Sequence, residues 1–209
     1  MTASHPIFAR AYHRRSQFLE HHGAAQHRRE LLAGLSGRVV EIGAGNGLNF
    51  RHYPDAVSEV VAVEPEQFLL DRARDALRFA HPRVTLLRAT AERLPLHNEL
   101  FDAVVCSLLL CSVTSVAESL AEMRRVLRPD GQIRFYEHVA AESPRHARVQ
   151  RWSNPLWKRV AGGCNLVCDT EREFKRAGLQ VDRCIRFDFR PSRIGVLTSP
   201  HIIGNAIVI

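Results

Sequence analysis

The sequence predicts an α/β protein in which helices cover both faces of a parallel sheet. Three observations support this prediction. Short apolar runs typical of buried strands recur along the chain, amphipathic helical segments separate most of them, and Gly or Pro residues stand at several boundaries. Near-continuous apolar strands that alternate with helices indicate a parallel sheet buried on both faces. A length of 209 residues suits one domain. We therefore predict a single domain over residues 1–209.

The first 36 residues are predicted to be helical. Leu, Phe and Tyr recur among Arg, His and Glu at helical spacing, which gives this region apolar faces. Gly23 is expected to divide it into two helices, and the segment from Gly34 to Gly37 is expected to end the second. All the predicted strands then fall within residues 37–209.

Strands and helices alternate through the rest of the chain. Each predicted strand is a short run rich in Val, Ile, Leu or Phe, and the helices carry apolar residues at helical spacing. Pro129-Asp130-Gly131 is predicted to be a turn before the fifth strand. The predicted strands are residues 38–42, 59–63, 84–87, 101–106, 133–137, 181–187 and 203–208, and the later helices are residues 67–79, 115–127, 145–160 and 170–177.

A glycine-rich turn, Glu-Ile-Gly-Ala-Gly-Asn-Gly at residues 41–47, follows the first strand. The dinucleotide fingerprint G-x-G-x-x-G would require Gly or Ala at position 48, where this chain has Leu48. The Gly-Lys-Ser/Thr sequence of phosphate-binding loops does not occur. Because glycine lacks a Cβ, it permits close backbone approach. The loop therefore favours a ligand that needs backbone contact more than anion binding.

Glu64 ends the second predicted strand, 21 residues after Gly43. An acidic side chain at this place can accept hydrogen bonds from both ribose hydroxyls of a bound nucleoside. A surface glutamate at a strand end is the alternative interpretation. The separation from the glycine loop favours the ribose.

Together these segments resemble the motifs of class I S-adenosylmethionine (SAM) dependent methyltransferases. Residues 41–47 resemble the first motif, Val63-Glu64-Pro65 the second, and residues 89–96 the third, in which Thr90 stands where the family uses Asp. The resemblance implies a Rossmann-like fold with a seven-stranded, mostly parallel sheet, an antiparallel last strand and helices on both faces. It also implies SAM as the cofactor.

The resemblance further implies how SAM is held. Its methionine part would lie over the glycines, its ribose at Glu64 and its adenine near the third motif. Ser107 and Leu108 are expected at the methionine end because they follow the fourth strand directly. Residues 1–36 would form a helical lid over the core of residues 37–209. The expected cofactor-binding residues are Glu41, Gly43, Ala44, Gly45, Gly47, Glu64, Pro65, Thr90, Ala91, Glu92, Ser107 and Leu108.

A nucleic-acid acceptor is disfavoured, although the formal charge is +7 at pH 7. Arginines are spread along the whole chain, which favours a basic solvated surface. Residues 106–113, Cys-Ser-Leu-Leu-Leu-Cys-Ser-Val, lack the Asn/Asp-Pro-Pro-aromatic motif found in enzymes that methylate nucleic-acid amino groups. The Pro-Cys and Thr-Cys dipeptides of cytosine C5 enzymes do not occur either.

The C-terminal half resembles the methyltransferase-like alkyl-thiol S-methyltransferases, a branch of the type 11, UbiE-like group. The segments that carry the resemblance are VVCSLLLCSV (104–113), RRVLRPDG (124–131), FYEHVA (135–140), Trp157 with residues 162–164, and PHIIG (200–204). It implies methyl transfer to a small, hydrophobic acceptor, with thiol sulfur preferred. N- or O-methylation of a lipid, quinone or secondary metabolite stays open, as does a SAM-binding partner module without catalysis.

His138 is the candidate catalytic residue. A thiol with a pKa of about 8.5 is ionised only to a few per cent at neutral pH, so a neighbouring base or cation would raise the rate. His138 follows the fifth strand, where open α/β sheets bind ligands. A histidine bonded to a neighbouring loop is the alternative. Cys164 and Cys168 could form one pair of zinc ligands, but the sequence has no second pair at ligand spacing. We therefore expect these cysteines to be buried thiols and expect no metal.

The sequence predicts a cytoplasmic protein with a small-molecule acceptor. No apolar run approaches the roughly 20 residues of a membrane span. The first residues lack the apolar core of a secretory signal. Five cysteines, an odd number without disulfide-framework spacing, favour reduced thiols. We therefore expect no transmembrane segment, and the oligomeric state stays open.

Overall fold

A computed structural model describes residues 6–191 and 193–208. The strands are β1 (Gly37–Ile42), β2 (Val57–Val63), β3 (Arg83–Leu87), β4 (Phe101–Ser107), β5 (Leu127–His138), β6 (Leu179–Asp188) and β7 (Pro200–Val208). They form one seven-stranded sheet in the order β3-β2-β1-β4-β5-β7-β6. The first five strands pair in parallel, and β7 runs antiparallel to both β5 and β6. The predicted sheet with its antiparallel last strand is confirmed.

Helices precede and connect these strands. They are α1 (Pro6–Leu19), α2 (Ala25–Leu32), α3 (Gln67–Ala76), α4 (Val116–Val126), α5 (Pro144–Val160) and α6 (Thr170–Arg176). The side chain of Ser115 caps α4 by accepting a hydrogen bond from the backbone N–H of Glu118. No helix in the described ranges combines the length and the apolar character needed to cross a membrane.

Helices cover both faces of the sheet, as predicted. Successive side chains of a strand point to opposite faces, and β1 shows this directly. Val40 packs in one core with Met123 of α4 and Phe174 of α6. Its neighbour Val39 packs in a second core with Leu32 of α2. Each face of the central strand is therefore buried against a different set of helices.

Gly23 divides the N-terminal helical region, as predicted. A single π-helical turn, Glu20–Ala24, joins α1 to α2, and the chain leaves helical geometry at His22 and Gly23. The φ angle of Gly23 is +115°, which glycine adopts without the steric cost of a Cβ. The kink lets α2 pack on the sheet while α1 takes another direction.

The turn predicted at Pro129-Asp130-Gly131 is wrong. These residues lie inside β5, which begins directly after α4. The pairing of β4 with β5 shifts register between Phe101 opposite Leu127 and Ala103 opposite Gln132. The extra residues of β5 therefore form an irregularity within the strand pairing. Pro, Asp and Gly are suited to such a bulge as well as to a turn between two elements.

The central strands place the chemistry-bearing residues at one edge of the sheet. From β1 the chain continues to β2 and β3 on one side, and it returns to β4 and β5 on the other. Open α/β sheets bind ligands outside the carboxyl ends of the strands at such a point. The residues that follow β1, β2 and β4, and the last residue of β5, converge there.

Candidate active site

A cavity of about 910 Å³ lies at the carboxyl edge of the central strands. Residues from α1 and from the loop after α5 complete its walls. This volume lies in the upper part of the range for small-molecule sites. The residues of the predicted site that line it are Gly43, Gly45, Glu64, Pro65, Thr90, Ala91, Glu92, Ser107, Leu108 and His138. Glu41, Ala44 and Gly47 lie outside its wall.

The glycine loop approaches the cavity with its backbone. Gly43 has a φ angle of +71° and Gly45 one of +56°, which only glycine adopts readily. A Cβ on Gly43 would lie 2.7 Å from Cδ1 of Leu109, and one on Gly45 would lie 3.4 Å from the ring of Tyr12. A Cβ at position 43 would therefore force the Leu109 side chain to move, whereas one at position 45 would make an ordinary contact with Tyr12.

Glu41 supports the loop from behind. It is 2% exposed. Its carboxylate accepts hydrogen bonds from Nδ2 of Asn49 at 2.8 Å and from the Tyr53 hydroxyl at 2.9 Å. The Asn49 side chain in turn accepts one from Nη1 of Arg28 at 2.8 Å. Burial raises the pKa of Glu41 to about 7, although both donors oppose that shift. Ala44 packs in the neighbouring core, and Gly47 lies against the Phe50 ring.

Glu64 joins the end of β2 to the glycine loop. Its Oε2 accepts a hydrogen bond from the N–H of Gly45 at 2.9 Å, and its Oε1 accepts one from the N–H of Glu66 at 2.9 Å. Burial raises the pKa of Glu64 to about 7, and the two backbone donors oppose that shift. A carboxylate oxygen can accept a second hydrogen bond. Glu64 can therefore bind a diol in the cavity while it holds the loop.

The third motif lines the opposite part of the cavity through Thr90, Ala91 and Glu92. Glu92 also accepts a hydrogen bond from the N–H of Thr114 at 2.7 Å, which ties this segment to the start of α4. Ala91 packs its methyl group into the core. The segment therefore offers mainly backbone groups and one carboxylate to a ligand.

The turn after β4 is held by a residue that the sequence reasoning did not assign. Glu137 is fully buried, and its Oε1 accepts hydrogen bonds from the N–H groups of Leu109 and Leu110 at 2.9 and 3.1 Å. Leu108 has a φ angle of +55°, a conformation that is unfavourable for a leucine. The Oγ of Ser107 is buried without a hydrogen-bond partner among the described residues. The turn thus presents an unsatisfied hydroxyl beside the cavity.

His138 lies beside two cysteines. Its Nε2 is 2.9 Å from Sγ of Cys164, which also accepts a hydrogen bond from Nε1 of Trp157 at 3.3 Å. Cys111 is the third member, and the three ligand atoms all lie within 4.8 Å of one another. Hydrogen bonds from Cys111 and His138 lower the pKa of the Cys164 thiol. Burial is the largest influence on His138 and acts to lower its pKa, but the hydrogen bond with Cys164 and the negative charges of Cys164 and Glu137 together raise that pKa.

An aromatic wall adjoins this cluster. Tyr136, Phe189 and His201 line the cavity. The rings of Tyr136 and His201 are stacked with centroids 5.2 Å apart, and the Phe189 ring meets His201 edge-on at 5.9 Å. Burial lowers the pKa of His201 to about 4, so this imidazole is neutral at pH 7. The wall is therefore uncharged and suits an apolar ligand. Sequence reasoning missed it because its members come from three separate segments.

Helix α1 lies across the cavity from the glycine loop. Phe8 and Tyr12 both line the cavity. The Phe8 ring also lies against Gly162, where a Cβ would be only 2.5 Å away. Each of these two aromatics therefore lines the cavity and packs against a glycine-containing loop.

Known proteins match this chain along most of its length. Residues 40–135 match the family described as methyltransferase domain. Human thiol S-methyltransferase TMT1B is 34% identical over 184 residues, which cover 84% of this chain and 73% of that protein. Human thiol S-methyltransferase TMT1A is 33% identical with the same coverage. A SAM-dependent methyltransferase of Thermotoga maritima has a TM-score of 0.68 at 22% identity over 96% of this chain and 97% of its own, which shows the fold alone.

The residues around the cavity fit SAM. The backbone of Gly43 and Gly45 leaves room that side chains would fill, Glu64 has acceptor capacity for a ribose, and Ser107 has an unsatisfied buried hydroxyl. SAM is the cofactor of the matched family, and the motif resemblance is confirmed by the matches along the chain. The fold, the fit of the cavity to SAM and the matches to known proteins all indicate the same family. The chain belongs to the class I SAM-dependent methyltransferases.

Proposed function

We propose that this enzyme methylates the sulfur of a small, hydrophobic thiol. The observation that carries the proposal is the position of His138 and Cys164 beside an uncharged aromatic wall, in the same cavity as the glycine loop. An apolar acceptor can bury its carbon chain against that wall while its sulfur lies at the histidine. The similarity to relatives named thiol S-methyltransferases supports the same acceptor atom.

The proposed cofactor site divides into three parts. Glu64 and Pro65 take the ribose, Thr90, Ala91 and Glu92 take the adenine, and the glycine loop with Ser107 and Leu108 takes the methionine part. Glu41 acts through Asn49 and Tyr53, which fix the loop, and it does not contact SAM. Residues 1–36 act as a lid over the core of residues 37–209, within one domain. The position of Tyr12 opposite Gly45 supports that role.

The protein contributes alignment, exclusion of water and ionisation of the acceptor. SAM, when bound, supplies a methyl group that its sulfonium already activates. The aromatic wall and α1 orient the acceptor and keep water out, which converts the transfer into an intramolecular step. Since a free thiol is mostly protonated at pH 7, the remaining task is removal of its proton. We assign that task to the group formed by His138, Cys111 and Cys164. The free thiols of this group suit a reducing compartment such as the cytoplasm.

Methyl transfer from labelled SAM to a panel of acceptors tests this function. The panel contains alkyl thiols, phenols, amines, quinols and a phospholipid. We expect label in the thioether products of the thiols, and a loss of roughly a hundredfold or more in the His138→Gln variant. Replacement of Arg151, an exposed residue of α5, by Gln provides the control. Label in a phenol, amine, quinol or lipid with inert thiols would redirect the proposal to O- or N-methylation.

A further inference from the structure

We propose that Cys111, His138 and Cys164 bind a divalent ion, zinc, with an open coordination position toward the cavity. The proposal rests on the proposed thiol acceptor, because that acceptor would occupy the open position as a thiolate. It replaces the sequence-based expectation of no metal, which considered Cys164 with Cys168. In the structure the partner of Cys164 is Cys111, and the Cys168 thiol instead donates to the Asn165 carbonyl at 3.0 Å.

The spacing of the three ligand atoms suits zinc. Zn–S distances of about 2.3 Å and Zn–N distances of about 2.0 Å in a tetrahedron place neighbouring ligand atoms about 3.5 to 3.8 Å apart. Here Sγ of Cys111, Nε2 of His138 and Sγ of Cys164 all lie within 4.8 Å of one another. The distance between Nε2 of His138 and Sγ of Cys164 is 2.9 Å, and it must increase by less than about one ångström to admit the ion. Side-chain rotation alone covers such a distance.

The backbone holds the three ligands in place. Cys111 follows β4, His138 is the last residue of β5, and Cys164 follows α5. The N–H of Asn165 donates to the carbonyl of Cys111 at 2.8 Å, which ties one cysteine loop to the other. Trp157 donates from its indole N–H to Sγ of Cys164. A hydrogen bond to a ligand sulfur is the type of outer contact that orients metal ligands.

The ligand set matches a catalytic zinc site better than a structural one. Two thiolates and one imidazole are soft and borderline ligands of the kind zinc prefers. Structural sites close four protein ligands around the ion, whereas catalytic sites keep three and leave one position for water or substrate. All three residues line the cavity. In the described ranges no fourth Cys, His, Asp or Glu joins this group.

The ion would perform the ionisation assigned to the group around His138. A thiol that coordinates zinc loses its proton, which passes to solvent. The bound sulfur then forms a bond to the methyl carbon as the bond between that carbon and the sulfonium breaks. The products are a thioether and S-adenosylhomocysteine, so one proton is released for each methyl transferred. The neutral thioether is a weaker ligand than a thiolate and leaves the open position.

Metal content of the purified full chain tests the site without reference to activity. The chain is loaded with zinc or cobalt(II) alone and dialysed before elemental analysis. We expect one equivalent of zinc, and for cobalt the near-ultraviolet absorption of thiolate coordination. Cys111→Ala and Cys164→Ala should lose the equivalent, while Cys168→Ala and Cys184→Ala keep it. Retained SAM affinity in each variant shows that it is folded.

Three outcomes separate the site from the function. Absence of bound metal in the wild-type chain, or equal metal in all four variants, would overturn the site. Thiol methylation that survives chelation and the Cys111→Ala change at full rate would overturn the ion's role in ionising the acceptor, while the proposed function would stand. One equivalent of metal that is lost in Cys111→Ala, together with inert thiols, would establish the site and remove the thiol acceptor.

Discussion

Oε2 of Glu64 lies 2.9 Å from the backbone nitrogen of Gly45, so one hydrogen bond joins the two cofactor motifs. The acid at the end of β2 thereby fixes the loop that follows β1. The loop can present its backbone to a ligand only in this conformation, because Gly45 has a positive φ angle. In the proposed cofactor site, ribose binding and loop geometry therefore depend on the same carboxylate.

Replacing Glu64 by Ala should weaken SAM binding strongly. Hydrogen bonds to a charged group contribute about 1.5 to 3 kcal/mol each, so loss of the ribose contacts should raise the Kd for SAM by roughly tenfold to a hundredfold or more. Isothermal titration calorimetry measures this. Glu59→Ala is the matched control, since Glu59 lies on the same strand in a partly exposed ion pair with Arg38. Equal affinity in the two variants would contradict the ribose assignment.

SAM affinity should rise with pH up to about 7 and then level off. Burial raises the pKa of Glu64 to about 7 in the ligand-free protein. Donation from the ribose hydroxyls favours the ionised form, so the pKa falls on binding and a proton is released. Below the ligand-free pKa this linkage weakens binding as pH falls, by up to about tenfold per unit. The Glu64→Gln variant should lack this slope, and the same slope in that variant would exclude Glu64 as its source.

Gly43→Ala should lower both stability and SAM affinity. The φ angle of Gly43 is +71°, and a Cβ there would lie 2.7 Å from Leu109. Gly34 provides a control with nearly the same φ angle, +73°, and its nearest contact is 3.8 Å away at the Arg134 side chain. Each alanine should cost about 1 to 2 kcal/mol of unfolding free energy from the left-handed backbone. Only Gly43→Ala should also reduce SAM affinity; a similar reduction in both variants would show a general effect of stability.

Tyr53→Phe should destabilise the fold more at high pH than at low pH. The Tyr53 hydroxyl donates to Glu41, whose pKa is raised by burial to about 7. Because that pKa exceeds the unfolded value, ionisation of Glu41 lowers the stability of the native state as pH rises toward 7. The hydroxyl opposes this loss by stabilising the carboxylate. Denaturant unfolding should therefore show a deficit of about 1 to 3 kcal/mol at pH values above about 7 and a smaller deficit at pH near 5. A stability deficit that does not change with pH would show that the Tyr53 hydroxyl does not stabilise the ionised form of Glu41.

Local sequence patterns predicted the fold and the cofactor edge, because both depend on neighbours along the chain. The strand at residues 38–42, the loop at Gly43 and the break at Gly23 follow from hydrophobic runs and from glycine. The role of Glu41 was not predictable in the same way. Its carboxylate is occupied by Asn49 and Tyr53, and only the folded loop brings those donors to it.

The acceptor side depended on contacts that no local pattern contains. Cys111 and Cys164 belong to different halves of the chain, and their approach follows from the hydrogen bond between the Asn165 N–H and the Cys111 carbonyl. Sequence spacing favoured Cys168 as the neighbour of Cys164, since the two are close in the chain. The position of His138 was predictable because it ends a strand at the switch point of the sheet. Its partners were not.

The most direct test of the thiol assignment is kcat/KM for an alkyl thiol, an alcohol and an amine of equal chain length. All three have the same apolar chain for the aromatic wall, so only the reacting atom differs. We expect turnover of the thiol at least about a hundredfold above the others, with a thioether and S-adenosylhomocysteine formed in equal amounts. Turnover of the alcohol or the amine with an inert thiol would contradict the account.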